Sequence, residues 1–164
     1  MSYAKKIDHL LAQKELDLLA AAKFLMTAES KATIEGMRSH LNKVGATAED
    51  IQIAARAICL ASLFPGGGGT LLFEHIRSPK VTERIAAATA CKYKECIPMK
   101  TRNQVLSILL EDKDSQVRLA ALQSIPLHHP YGASKTIQRL AASDPVRSVK
   151  KRAQKILEPS PFKL

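Results

Sequence analysis

The sequence predicts an all-α protein: an α-solenoid of about four helical pairs behind an N-terminal capping helix. Three observations carry this expectation. First, a stretch occurs twice in the same phase: Asp112, Val117, Arg118, Ala121 and Ile125 fall on Asp144, Val149, Lys150, Ala153 and Leu157. A unit of helix, acidic turn and basic-edged amphipathic helix that returns after roughly 30–36 residues is the pattern of stacked helical repeats. Second, helix-start chemistry recurs in phase with that unit. Ser78-Pro79 and Asp144-Pro145 place a capping side chain before proline, while Thr47 with Asp50 and Thr101 with Gln104 have capping-box spacing. Third, hydrophobic residues make up 46% of the chain but aromatics only 4%, with no Trp. A core of Leu, Ile, Val and Ala suits closely stacked helices better than a β-sandwich.

Taken in order, residues 3–28 read as one long helix. Ile7, Leu10, Leu11, Leu18, Ala22 and Leu25 share a face, and Lys5, Lys6, Lys14 and Glu15 supply the other. A polar-backed helix of this kind suits the end of a stack. The pairs then follow as 31–43 with 48–63, 70–77 with 79–95, 102–111 with 115–125, and 133–142 with 145–157. In the second pair Val81, Ile85 and Ala88 take the repeat's apolar positions, and Thr82 stands where the others carry a basic residue. The expected organisation is a single domain over 1–157, with the cap at 1–30, repeats at 31–157 and a mobile tail at 158–164. At this length a domain buries about 68–70% of the surface of its extended chain.

The aspartate, Val-Arg and Ala-rich helix pattern resembles the HEAT-like repeats of the short bacterial type, the class named after phycobilisome lyases. Asp112, Asp114, Val117, Arg118 and Ala121 match best, followed by Asp144, Pro145, Val149, Lys150 and Ala153. The resemblance spans about residues 31–157 and is strong from about residue 100. It implies stacked helix pairs in which the aspartate and the basic residue bind neighbouring turns. It implies no particular activity, because such repeats serve unrelated tasks.

Three local features could carry chemistry. Phe64-Pro65-Gly66-Gly67-Gly68-Gly69-Thr70 runs into a helix and could cradle an anion, but it lacks the Gly-Lys-Ser/Thr ending of a Walker loop and reads as a turn between repeats. Cys91 and Cys96, with Cys59, His75, His128 and His129 elsewhere, lack paired zinc-ligand spacing, so no metal or other cofactor is expected. Three cysteines in a chain read as intracellular point to free thiols. Lysines on each side of Tyr93 would favour a thiolate at Cys91 or Cys96 if their charges turned inward.

Charge is the most informative of the three. The net charge is +10, and between residues 118 and 157 Asp144 alone opposes Arg118, Lys135, Arg139, Arg147, Lys150, Lys151, Arg152 and Lys155. Arg118 and Lys150 sit where the repeat pattern spends them on internal aspartates. Lys135, Arg139, Arg147, Lys151 and Lys155 remain as candidates for a polyanion site, the last three spaced i, i+4, i+8.

The expected function is noncatalytic: a scaffold or adaptor that grips a protein partner on its repeat surface, with Tyr93, His128, His129 and Tyr131 as interface candidates. Nucleic-acid binding by the basic C-terminal repeats is the alternative. A regulator or lyase-type accessory protein is a further one, by family analogy. No catalytic constellation is legible. The resembling metal hydroxylases use repeated His-Glu dipeptides, whereas Glu74-His75 is reversed and single here. The resembling glycosylases and bilin lyases use aromatic pockets for which this chain has little material. No apolar run approaches the roughly 20 residues of a membrane span, and no signal-peptide block opens the chain, so a cytoplasmic protein is expected.

Overall fold

The computed structural model describes residues 3–13, 17, 20–21, 30–41, 45–64, 68–127 and 134–159. Every described element is helical: α1 (Tyr3–Leu11), α2 (Ser30–Leu41), α3 (Ala48–Ser62), α4 (Gly68–Ile76), α5 (Val81–Ala90), α6 (Met99–Leu109), α7 (Ser115–Gln123), α8 (Ser134–Ser143) and α9 (Arg147–Leu157). Helices adjacent in sequence pack as pairs: α2 on α3, α4 on α5, α6 on α7, α8 on α9. The second helices of successive pairs also pack on one another, α3 on α5, α5 on α7 and α7 on α9, while α1 lies on α2 and α3. One core cluster extends through all of these contacts, from Ile7 to Ile156. Alanine sets its spacing. Ala55, Ala57, Ala87, Ala88, Ala121 and Ala153 are fully buried, and side chains this small let neighbouring backbones approach closely.

Residues 3–28 are not one helix. α1 ends at Leu11, Gln13 is outside any helix, and Asp17 opens a new one by accepting the Ala20 amide at 3.0 Å. Nothing local breaks the chain at this point. A tertiary contact meets this end: Arg56 of α3 donates to the carbonyls of Leu11 and Gln13, supplying partners to acceptors at the helix C-terminus.

Three of the second helices begin in the same way. Ser78 Oγ accepts the Lys80 amide at 3.1 Å, Asp112 Oδ1 the Asp114 amide at 2.8 Å, and Asp144 Oδ1 the Val146 amide at 2.9 Å. Lys80, Asp114 and Val146 are then the extended N-cap residues of α5, α7 and α9. The Ser-Pro and Asp-Pro pairs therefore build a side-chain turn two residues ahead of the helix and do not cap it themselves. Thr101 and Gln104 likewise lie inside α6, whose N-cap is Pro98. The capping box at Thr47 and Asp50 is present, with the Asp50 amide donating to Thr47 Oγ1 at 3.1 Å and the Thr47 amide to Asp50 Oδ2 at 3.1 Å.

This alignment of turns corrects the register of the second pair. Ser78 is the counterpart of Asp112, and Arg84 is the counterpart of Arg118, each four residues after its N-cap. The basic residue expected at Thr82 is present two positions later.

Candidate functional site

The acidic turns hold the pairs together. Arg84 donates from Nε to Asp112 Oδ2 at 2.7 Å and from Nη2 to Oδ1 at 3.2 Å, and its Nη1 reaches the carbonyls of Ser78 and Pro79. Arg118 repeats the arrangement one unit later. Its Nε and Nη2 meet Asp144 at 2.8 and 3.1 Å, and Nη1 meets the carbonyls of Asp112 and Lys113. Each guanidinium thus clamps its own turn and forks onto the carboxylate of the next. The fork geometry suits arginine and would not suit lysine. The side chains are nearly buried, at 7% and 11% exposure for Arg84 and Asp112 and 11% and 2% for Arg118 and Asp144. Burial pushes the Asp144 carboxyl up, but the bonds from Arg118 and the Val146 amide, with the charges of Arg118 and Arg139, hold it below the usual carboxylate value. Where Ser78 stands in place of the aspartate, Ile51 stands in place of the arginine, so donor and acceptor are missing together. These clasps spend charge on structure and leave none of it for a ligand.

The remaining basic residues divide into two groups. Lys151 and Lys155 are exposed and line an open groove of about 520 Å³ between α7 and α9, together with Leu119, Gln123, Ser148 and Glu158. Arg147 continues their row one turn earlier, also exposed. Arg152, which sequence reasoning had not selected, borders the same groove and donates to the carbonyls of Leu122 at 3.2 Å and Ile125 at 3.1 Å, closing the end of α7. Lys135 and Arg139 belong to the other group, on α8, and both are exposed. Arg139 is paired with Glu111, which also accepts from Thr136 Oγ1 at 3.0 Å. The tie fixes α8 to the turn after α6. Of the five candidates, Arg147, Lys151 and Lys155 form the row on α9, while Lys135 and Arg139 stand on α8, where Arg139 shares an exposed ion pair with Glu111.

Of the interface candidates, Tyr93 is half-buried against the core and its hydroxyl takes a hydrogen bond from Gln52 Nε2, which joins the α5–α6 turn to α3. His128, His129 and Tyr131 lie outside the described residues, as do residues 65–67 of the glycine run and residues 160–164 of the tail. Gly68 and Gly69 are already part of α4. His75 is satisfied within its own helix, its Nδ1 lying 2.7 Å from the Leu71 carbonyl.

The three thiols converge between α3 and the turn after α5. Cys59 Sγ donates to the Ala90 carbonyl at 3.3 Å, and its sulfur neighbours the Cys96 thiol. All three are buried and free. Lys92 and Lys94 are exposed, so their charges do not turn inward to favour a thiolate. Burial drives the Cys91 thiol up to about 12 against a small opposing pull from Arg102. Cys96 is lowered chiefly by its interaction with the neighbouring Cys59 thiol, which burial itself pushes well up. In mapping by mass spectrometry after brief exposure to a thiol reagent, Cys96 is expected to be labelled ahead of both Cys59 and Cys91. Equal labelling of all three would contradict this order. Among the described residues no group of three His, Cys, Asp or Glu side chains is placed to hold a metal, and no helix is long and apolar enough to cross a membrane. No protein-family model and no curated protein sequence matches the chain.

Proposed function

We propose that this chain is a noncatalytic binding module, a short HEAT-like α-solenoid of about four pairs capped by its N-terminal helical segment, which holds an acidic segment of a protein partner. The stacking of α3, α5, α7 and α9 and the repeated arginine–aspartate clasps support the solenoid reading. Buried free thiols suit a cytoplasmic setting.

The observation that carries the binding reading is the groove between α7 and α9. Lys151 and Lys155 stand exposed on one wall, and half-buried Leu119 supplies an apolar patch on the other. An acidic peptide with an apolar residue matches both. A nucleic acid would gain from aromatic platforms for its bases, and Tyr93 is instead tied to Gln52.

The test is fluorescence anisotropy with a labelled Glu/Leu-rich peptide, alongside a labelled random duplex and a matching single strand. Peptide binding is expected, and Lys151→Glu with Lys155→Glu should weaken it at least about tenfold, the scale of one lost charge-assisted contact. The melting curve should stay unchanged, because both side chains are exposed. Undiminished peptide binding by the double variant would overturn the groove. Tighter binding to DNA, falling between 50 and 200 mM salt with the slope of several neutralised phosphates (about 0.9 per contact for a duplex), would put the nucleic-acid reading in its place.

A further inference from the structure

A second, smaller cavity opens at the edge where α5 and α7 end and α6 begins. Lys94, Arg102 and Asn103 line one side of it, and Met99, Leu106 and Pro126 are among its apolar walls. Its volume is about 70 Å³. That is more than the roughly 10–15 Å³ one water needs and far below the roughly 300–1,000 Å³ of a pocket that engulfs a whole small molecule. It has room for one apolar side chain, with an attached polar group left at the mouth beside exposed Lys94.

Arg102 gives this cavity its chemistry. Its Nε is fully buried and meets no acceptor, the one such side-chain atom among the described residues. A buried donor without a partner costs free energy, and an arginine is always charged, so an anion held by the part of this guanidinium that lines the cavity would supply a counter-charge close to it. The neighbouring thiol of Cys91, held at about 12, stays neutral and cannot supply the counter-charge. α6 adds to the local positive potential, since it starts after Pro98 with no side-chain cap and no acid in its first turn. Among the described residues no acid lines the cavity, and Glu95, next to Lys94 in sequence, is exposed. The rim is apolar: Met99 is 63% exposed and Leu127, next to Pro126, is 44% exposed, two of the large hydrophobic side chains the protein leaves in water.

We propose that this cavity captures the C-terminal residue of a partner polypeptide, with Arg102 and Lys94 holding the carboxylate and Met99, Leu106 and Pro126 receiving an apolar side chain. A C-terminal residue carries its carboxylate and its side chain on the same Cα, so a cationic wall facing an apolar wall across one small cavity fits it. An internal Asp or Glu places its carboxylate at the tip of the side chain, with no apolar group beside it. The inference rests on the reading of the protein as a binder of polypeptides, but it uses residues separate from the α7–α9 groove.

The experiment is an NMR titration of the native chain that follows the Nε–H resonance of Arg102 and the amides of α6. The probes are N-acetyl-Gly-Leu as the free acid, its C-terminal amide, and N-acetyl-Glu amide. The free acid is expected to move the Arg102 Nε–H signal saturably, with the amide and the glutamate derivative at least about tenfold weaker, the factor of one charge-assisted contact. Arg102→Gln should weaken the acid by a similar factor. Should that variant fail to fold, the contrast between acid and amide on the native chain decides alone. Equal response to acid and amide, or no movement of the Arg102 signal, would overturn the proposal. Stronger binding of the glutamate derivative would also overturn it, by assigning the site to internal acids. None of these results touches the groove, whose test uses Lys151 and Lys155.

Discussion

Asp144→Ala is expected to lower the stability of the fold by about 3–5 kcal/mol, the cost of leaving a nearly buried guanidinium without its counter-charge. Asp144 is only 2% exposed, accepts both arms of Arg118 and also closes the turn ahead of α9 through the Val146 amide. The loss therefore reaches the joint between the third and fourth pairs and the start of α9 together. Urea unfolding followed by circular dichroism measures it. Replacing both partners, Arg118→Met with Asp144→Leu, should recover most of the stability, because the desolvation cost disappears with the charges. A double variant as unstable as the single one would mean that the turn, and not the ion pair, carries the effect. The pH dependence follows from the lowered Asp144 value. A carboxyl whose folded-state pKa lies below its unfolded value of about 3.9 contributes stability that is complete above that value and is lost as the pH falls through the folded-state pKa. The urea midpoint should drop below about pH 4, and Asp144→Asn should make that acid limb shallower.

Leu122→Ala is expected to cost about 2–5 kcal/mol. Leu122 is fully buried on α7, which packs on α5, α6 and α9 at once. The fully buried alanines at the helix contacts have no longer side chain that could swing into the space, so the void should persist and the cavity penalty should stay near the upper part of that range. Leu157→Ala provides the comparison. Leu157 is 41% exposed at the end of α9, and its loss should stay within about 0.5 kcal/mol. Comparable losses at the two positions would place the core elsewhere.

Much of the helical layout was legible because local signals agreed with it. The all-helical class, the capping box at Thr47 and Asp50, and the internal use of Arg118 all follow from caps and apolar phase. The register of α5 was not legible from phase. Ala86, Ala87, Ala88, Thr89 and Ala90 are all buried, so the helix is apolar nearly all round and its periodicity cannot separate one register from another two residues away. Only the turn ahead of it, with Ser78 in the aspartate position, fixes Arg84 as the clasp. The end of α1 was hidden for another reason. Ala12, Gln13, Lys14 and Glu15 are good helix formers, and the Arg56 that meets the carbonyls at the helix end lies more than forty residues later in the chain. At the candidate site, the i, i+4, i+8 row was readable, but the pairing of Arg139 with Glu111 and the unmatched Nε of Arg102 depend on which helices meet, which composition does not encode.

The two clasps also bear on how such a chain can change length. Each arginine binds the turn of its own unit and the carboxylate of the next, and the contacts of Arg84 and Arg118 correspond atom for atom. Excising the span that begins after Arg84 and ends with Arg118 would hand Asp144 to Arg84 with the same set of donors and acceptors. Duplicating that span would supply one further clasp arginine, a copy of Arg118, together with one further clasp aspartate, a copy of Asp112. The connecting chemistry is thus indifferent to the number of units, and a gene encoding this fold could grow or shrink by whole units without inventing a new joint.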